Sequence, residues 1–197
     1  DIYVKIFDAS DHLLSTQRVN SLTDGNQSQP MIQATANGGF VVAWSTYVQA
    51  ADGFTILSND VKAQVFDATG AKTGAEFKVS TPSDLVTGFG NYDMAGQSSV
   101  QIDLLTNGNV LMVWREDRQS GNGTAVDTIR VQVFDPLTGA KLGTEFTAST
   151  SSSPYYPDVA VLANGTYVVT WSVEGGTLTD GSGSAVKAQL FTAGGSK

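Results

Sequence analysis

The sequence repeats itself, and that self-similarity limits the fold more than any single motif does. Three segments share one pattern: Asn37-Gly38-Gly39-Phe40-Val41-Val42-Ala43-Trp44, Asn107-Gly108-Asn109-Val110-Leu111-Met112-Val113-Trp114 and Asn164-Gly165-Thr166-Tyr167-Val168-Val169-Thr170-Trp171. A second pattern, Val-Lys-Ala-Gln-Val-Phe-Asp in its clearest form, occupies residues 2–8, 61–67, 129–135 and 186–191. Its phenylalanines stand at 7, 66, 134 and 191, and all three tryptophans of the chain fall at one repeat position.

Each repeat reads as four short strands. The first alternates, as in Val100-Gln101-Ile102-Asp103-Leu104. An Asn-Gly pair follows, the strongest short hairpin signal, because that turn needs positive φ at both central residues. The second strand is a nearly unbroken apolar run ending in Trp, as expected where both faces are buried. The third alternates strictly. A turn at 68–72 or 137–141 leads to the fourth, at 76–79 or 145–148. No window has helical periodicity. The reading predicts an all-β fold of repeated four-stranded antiparallel units, propeller-like blades, with the β-prism and β-trefoil as alternatives. It predicts one repeat domain over 1–197: repeats at 1–59, 60–128 and 129–184, and an extra strand at 185–197.

The strand count predicts thirteen: a half-unit, two complete units, and a unit of three. About three blades fall short of the four to eight of a closed propeller. Incomplete blades leave unpaired strand edges, which invite pairing with another chain. The expectation is self-association into a ring or filament, or pairing with neighbouring repeats, with a terminal strand hydrogen-bonded outside the three-unit set.

The run Asn-Gly-Gly-Phe-Val-Val-Ala-Trp, the loop Asp180-Gly181-Ser182-Gly183-Ser184, Ala188-Gln189-Leu190-Phe191, and the Gly-x-Glu-Phe segments at 74–77 and 143–146 together resemble the propeller-like repeats of very large secreted bacterial proteins. These are the hemolysin-type, calcium-binding RTX adhesins and related surface proteins. The resemblance covers almost the whole chain. It departs in lacking a glycine-aspartate nonapeptide array and in a long insertion in the middle repeat. It implies an extracellular, secreted or surface-bound bacterial module.

Charge and composition exclude several classes. A net charge of −8 and a pI near 4.4 repel a phosphate backbone, so no nucleic-acid partner is expected. The chain has no cysteine, which removes disulfides, thiolate catalysis and cysteine-based zinc sites. No apolar run is long enough for a transmembrane segment, and no signal peptide opens the sequence.

Candidate ligands lie on the long loops, which the strand order places on one face, opposite the tight turns. Calcium takes oxygen ligands on Gly-containing loops; Asp52, Asp60, Asp117, Asp127 and Asp180 are the candidates, though none shows dense Asp-x-Asp-x-Asp-Gly spacing. Calcium is the one candidate cofactor. Phe89, Tyr92, Tyr155 and Tyr156 could stack on a pyranose, or else cap the apolar core. The tryptophans read as packing residues. His12, the single histidine, has no nucleophile elbow to serve. Glu116 and Asp117 adjoin, and strand neighbours point to opposite faces, so their spacing makes no acid/base dyad. The expectation is therefore a non-enzymatic structural or adhesive module, with a lectin-like domain binding glycans or cell-surface components as the alternative.

Overall fold

An apolar second strand needs cover on both faces, and stacked sheets supply it. The computed structural model describes residues 1–49, 51, 56–81, 96–117, 127–149, 154–174 and 183–197. Among them run thirteen strands: β1 (Tyr3–Phe7), β2 (Leu13–Arg18), β3 (Asn26–Ala34), β4 (Phe40–Gln49), β5 (Ile56–Phe66), β6 (Lys72–Lys78), β7 (Gly96–Leu104), β8 (Val110–Asp117), β9 (Thr128–Phe134), β10 (Lys141–Ser149), β11 (Pro154–Val161), β12 (Tyr167–Glu174) and β13 (Ser184–Phe191). They form four sheets, β1-β2, β3-β4-β5-β6, β7-β8-β9-β10 and β11-β12-β13, and every pairing is antiparallel between sequence neighbours. The sheets are offset by half a period from the sequence repeats, since 60–128 spans β5 and β6 of one sheet and β7 and β8 of the next. Hydrogen-bonded pairing stays within four separate sheets of sequence-adjacent strands. No helix among the described residues is long and apolar enough to cross a membrane.

Three apolar layers join the four sheets. Ile2 and Val19 of the first hairpin pack on Val42, Trp44 and Phe66. The other face of that second sheet gives Val41, Ala43, Val61, Ala63 and Val65 to Val110, Met112, Trp114 and Phe134 of the third. The third sheet turns Leu111, Val113, Ile129 and Val131 toward Tyr167, Val169, Trp171 and Phe191 of the last. Alternate residues of β4 and β8 thus belong to different cores, which explains the unbroken apolar runs. Each Trp faces the preceding sheet. Trp44 and Trp114 are 0% exposed and Trp171 is 6% exposed.

A second contact repeats with the same period. The glycines at 70, 139 and 195, in the turns that follow third strands, have positive φ, and each receives a side chain from the preceding sheet. A Cβ on Gly139 (φ +70°) would lie 2.4 Å from Phe77, and one on Gly195 (φ +80°) 2.8 Å from Phe146. Gly70 stands in the same relation to Ile6 and to Gln17, whose amide donates to the Gly70 carbonyl. These turns need glycine twice over, for conformation and for space. The Asn-Gly turns also gather on one side: a Cβ on Gly108 would lie 3.9 Å from Ala36, and one on Gly165 3.1 Å from Thr106.

β1 pairs with β2 alone and β13 with β12 alone among the described strands. The stacked cores set a stability expectation. Trp114→Ala should lower unfolding free energy by about 3–5 kcal/mol in a urea melt, the range for a large aromatic removed from a packed core. Trp114→Phe should cost less, because Nε1 of Trp114 has no acceptor among the described residues and only packing area is lost. Equal costs for the two variants would contradict a purely packing role.

Candidate functional site

The first strands β3, β7 and β11 pack successively against one another. Each is bulged at the same place, toward its long-loop end. The ladder slips between Ser28 and Met31, between Ser98 and Gln101, and between Tyr155 and Asp158. At each slip one non-glycine residue has positive φ: Gln29 at 53°, Ser99 at 55° and Tyr156 at 48°. Such backbone is costly for residues with a Cβ and recurs where a side chain must be re-aimed. The bulges are linked, since Ser99 N donates to Gln29 Oε1 at 3.2 Å. The third bulge leaves Tyr156 76% exposed.

Beside that bulge lies a buried group of charges. Arg115 and Asp117 end β8, and Asp127 stands just before β9. Arg115 Nη2 donates to Asp127 Oδ2 at 3.1 Å. The same nitrogen is 2.6 Å from Asp117 Oδ1, out of line for a hydrogen bond. The guanidinium carbon sits 4.2 Å from the centre of the Tyr155 ring, a cation–π contact that ties β11 to β8. Burial pushes the Asp117 carboxyl up to about 7; Arg115 opposes the rise, and the nearby Asp127 carboxylate adds to it. Asp117 is therefore shifted well above the usual carboxylate range, beside a second carboxylate and a cation.

Glu145 shows the opposite balance. Burial raises it, but hydrogen bonds from Thr81 and Arg130 outweigh that and hold it below the usual carboxylate range. Glu116 is buried against Arg130 and Thr128, with Arg130 Nε at 3.5 Å and Thr128 Oγ1 at 3.3 Å. One strand end thus presents two carboxylates in different settings: Glu116 faces Arg130, and Asp117 lies with Arg115 and Asp127.

Of the residues expected from sequence, the structure brings Asp117 and Asp127 together, with Tyr155 and Tyr156 at their side. The two tyrosine rings lie 6.4 Å apart. Asp60 pairs instead with Lys78 at 2.5 Å. Asp52, Asp180, Phe89 and Tyr92 lie outside the described residues. No group of three or more acidic or histidine side chains among the described residues is arranged to hold a metal. His12 is exposed and lies 3.2 Å from Asp8. Sequence reasoning missed Arg115 and the bulges. Pro30 and Pro157 were the available signal, because proline within a strand is confined to edges and bulges.

Stacked four-stranded blades with incomplete sheets at either side make the fold a β-propeller, as solved relatives in shape confirm. The chain is similar to a thermostable family-43 glycoside hydrolase (14% identity, TM-score 0.50, covering 95% of this chain and 65% of that one). It is also similar to an endo-arabinase from Bacteroides thetaiotaomicron (13% identity, TM-score 0.51, covering 93% and 63%). An alpha-L-arabinanase of Penicillium chrysogenum, solved with arabinobiose, matches at 16% identity and TM-score 0.48, covering 81% and 46%. The chain thus spans just under two thirds of the first two proteins. No protein-family model matches it, and no curated protein does.

These neighbours correct one expectation. The sequence reading made the chain a non-enzymatic structural or adhesive module, yet the solved proteins that share its fold are glycoside hydrolases. Strand neighbours Glu116 and Asp117 diverge, whereas Asp117 meets Asp127, which stands just before β9, at one guanidinium.

The Asp117 environment sets a pH dependence. Between about pH 4 and 7 the folded chain keeps a proton that the unfolded chain has released, so stability falls as pH rises through that window. Asp117→Asn removes the ionisation. Its stability relative to the wild type should therefore improve from pH 4.5 to pH 7.5 by roughly a few kcal/mol. Parallel wild-type and variant curves in urea melts across that range would refute the shift.

Proposed function

We propose that this chain is a glycan-active propeller domain working outside the cell, with its sugar site at the long-loop end of β8, β9 and β11. The observation that carries the reading is the Asp117–Arg115–Asp127 group beside the exposed Tyr156. A protonated carboxyl near neutrality can donate to a glycosidic oxygen. A neighbouring carboxylate and a guanidinium can fix sugar hydroxyls, and an exposed aromatic ring offers a face for a pyranose or furanose. In this reading Asp117 is the proton donor, Asp127 and Arg115 hold its proton and orientation, and Tyr156 is the stacking platform. The shape shared with a family-43 glycoside hydrolase and an endo-arabinase supports a polysaccharide as the substrate class. The extracellular setting rests on the motif resemblance to repeats of secreted bacterial proteins, and suits a polymeric substrate.

Arabinan is the first probe. The expected result is release of reducing ends from arabinan, with Asp117→Asn lowering kcat by about 100-fold or more, as loss of a general acid does. Tyr156→Ala should instead raise KM. If the chain neither cleaves nor binds any of a panel of plant and bacterial polysaccharides, the glycan reading falls.

A further inference from the structure

The first strands β3, β7 and β11 each form one edge of their own sheet and pack successively against one another, so they converge where the three sheets meet. Each carries one non-glycine residue of positive φ at its bulge: Gln29, Ser99 and Tyr156. Two of these, Gln29 and Tyr156, stand immediately before a proline, Pro30 and Pro157. Proline crowds the residue before it and favours extended backbone there. Both bulges therefore hold a conformation that their local sequence resists. Strain of this kind persists where the surrounding structure imposes it, and it clusters at ligand clamps.

The orientation of the Gln29 side chain is fixed by its partners. Its Oε1 accepts from the backbone N–H of Ser99, on the next sheet, at 3.2 Å, and from Oγ of the buried Ser45 on β4 at 3.4 Å. A backbone N–H can be met only by the amide oxygen, so the two ends of this amide are not interchangeable. Nε2 then points away from both donors. It carries two N–H groups, makes no hydrogen bond among the described residues, and belongs to an exposed side chain. Two donors held in a fixed direction without a protein acceptor suit a ligand rich in hydroxyl and ring oxygens. Tyr156, at the equivalent bulge of the last sheet, is exposed as well.

The geometry points to Gln29 as a second sugar-contacting residue, so that a glycan lies as a chain across the first strands of three sheets, from Tyr156 past Ser99 to Gln29. This inference rests on the glycan reading of the Asp117 group and goes beyond it by naming the substrate class. The substrate is a linear oligosaccharide or polysaccharide engaged along its length, and a lone sugar or a single chain end fills only the Tyr156 end. Tyr156 supplies a ring face and Gln29 supplies two hydrogen-bond donors, while the Ser99 N–H is taken up in holding the Gln29 amide. β7 and its bulge stand between the two contacts, a gap that one sugar ring does not span. Binding that needs both residues therefore selects for chain length.

The test uses the whole chain carrying Asp117→Asn, which prevents hydrolysis during the measurement, and arabino-oligosaccharides of two to six units. Isothermal titration calorimetry should show affinity rising by about tenfold or more from the disaccharide to the hexasaccharide. Adding Gln29→Ala should weaken hexasaccharide binding by about tenfold and leave the disaccharide unchanged, whereas adding Tyr156→Ala should weaken both. In nuclear magnetic resonance spectra of the chain with Gln29 intact, the side-chain amide signals of Gln29 should shift with the hexasaccharide and not with the disaccharide. That readout holds even where Gln29→Ala disturbs the bulge. If the disaccharide binds but affinity does not change with length, or if the Gln29 amide does not respond to the hexasaccharide, the proposal falls and the Asp117 site stands. If no oligosaccharide of any length binds, the glycan reading falls and takes the proposal with it.

Discussion

The structure depends on face-to-face burial of sheets that are apolar on both sides. A lone four-stranded sheet of this composition would leave Val41 and Ala43, or Val42 and Trp44, in water. Each of the two complete sheets therefore requires a neighbour on both sides. The residues that stop the stack from sliding are small. Phe77 over Gly139 and Phe146 over Gly195 are aromatic knobs seated on turns that have no Cβ. They fix the rotation between successive sheets at the rim, while the tryptophan layer fixes their spacing inside.

Charge is distributed to suit that stack. Lys62–Glu76 and Arg130–Glu145 lie between the outer two strands of their sheets, where side chains are largely covered. Such pairs contribute less through net attraction than through the penalty for breaking them, because a single buried charge left unmatched is costly. Their glutamates also accept backbone N–H groups from the segments that follow β2 and β6, so one carboxylate locks two elements. Asp117 is the exception to this economy. Its one nearby cation is shared with Asp127, and burial is not compensated.

The bulges explain how a rigid stack presents a site. Regular first strands would place successive side chains alternately into the two flanking layers. The slip at Tyr155–Tyr156 breaks that alternation, so Tyr155 turns onto Arg115 while Tyr156 stands out in solvent. Equivalent slips at Gln29 and Ser99 show that the device belongs to the repeat and not to one loop. The side chain placed at the bulge differs each time, from amide to hydroxyl to phenol, so the three bulges have the same backbone and different chemistry.

The strand order, the turn positions and the burial of all three tryptophans were legible in the sequence, because period-two and unbroken apolar runs report directly which faces must leave water. The Asn-Gly pairs marked the hairpins, but only their glycines, Gly38, Gly108 and Gly165, have positive φ, so the turn with two positive-φ residues expected from sequence did not form. Asp117 and Asp127 were legible as candidates on one loop, but their meeting at Arg115 was not. Asp117 and Asp127 are separated by residues whose path no local rule specifies, and only the pairing of β8 with β9 brings their carboxylates to one guanidinium. Tyr155 arrives from a third strand, in a different sheet. Periodicity encodes which side of a strand a residue occupies, but it carries no information on which residue of a neighbouring sheet will stand opposite. That was decided by the tertiary stacking, since contacts between sheets depend on rotation and register that no single repeat contains.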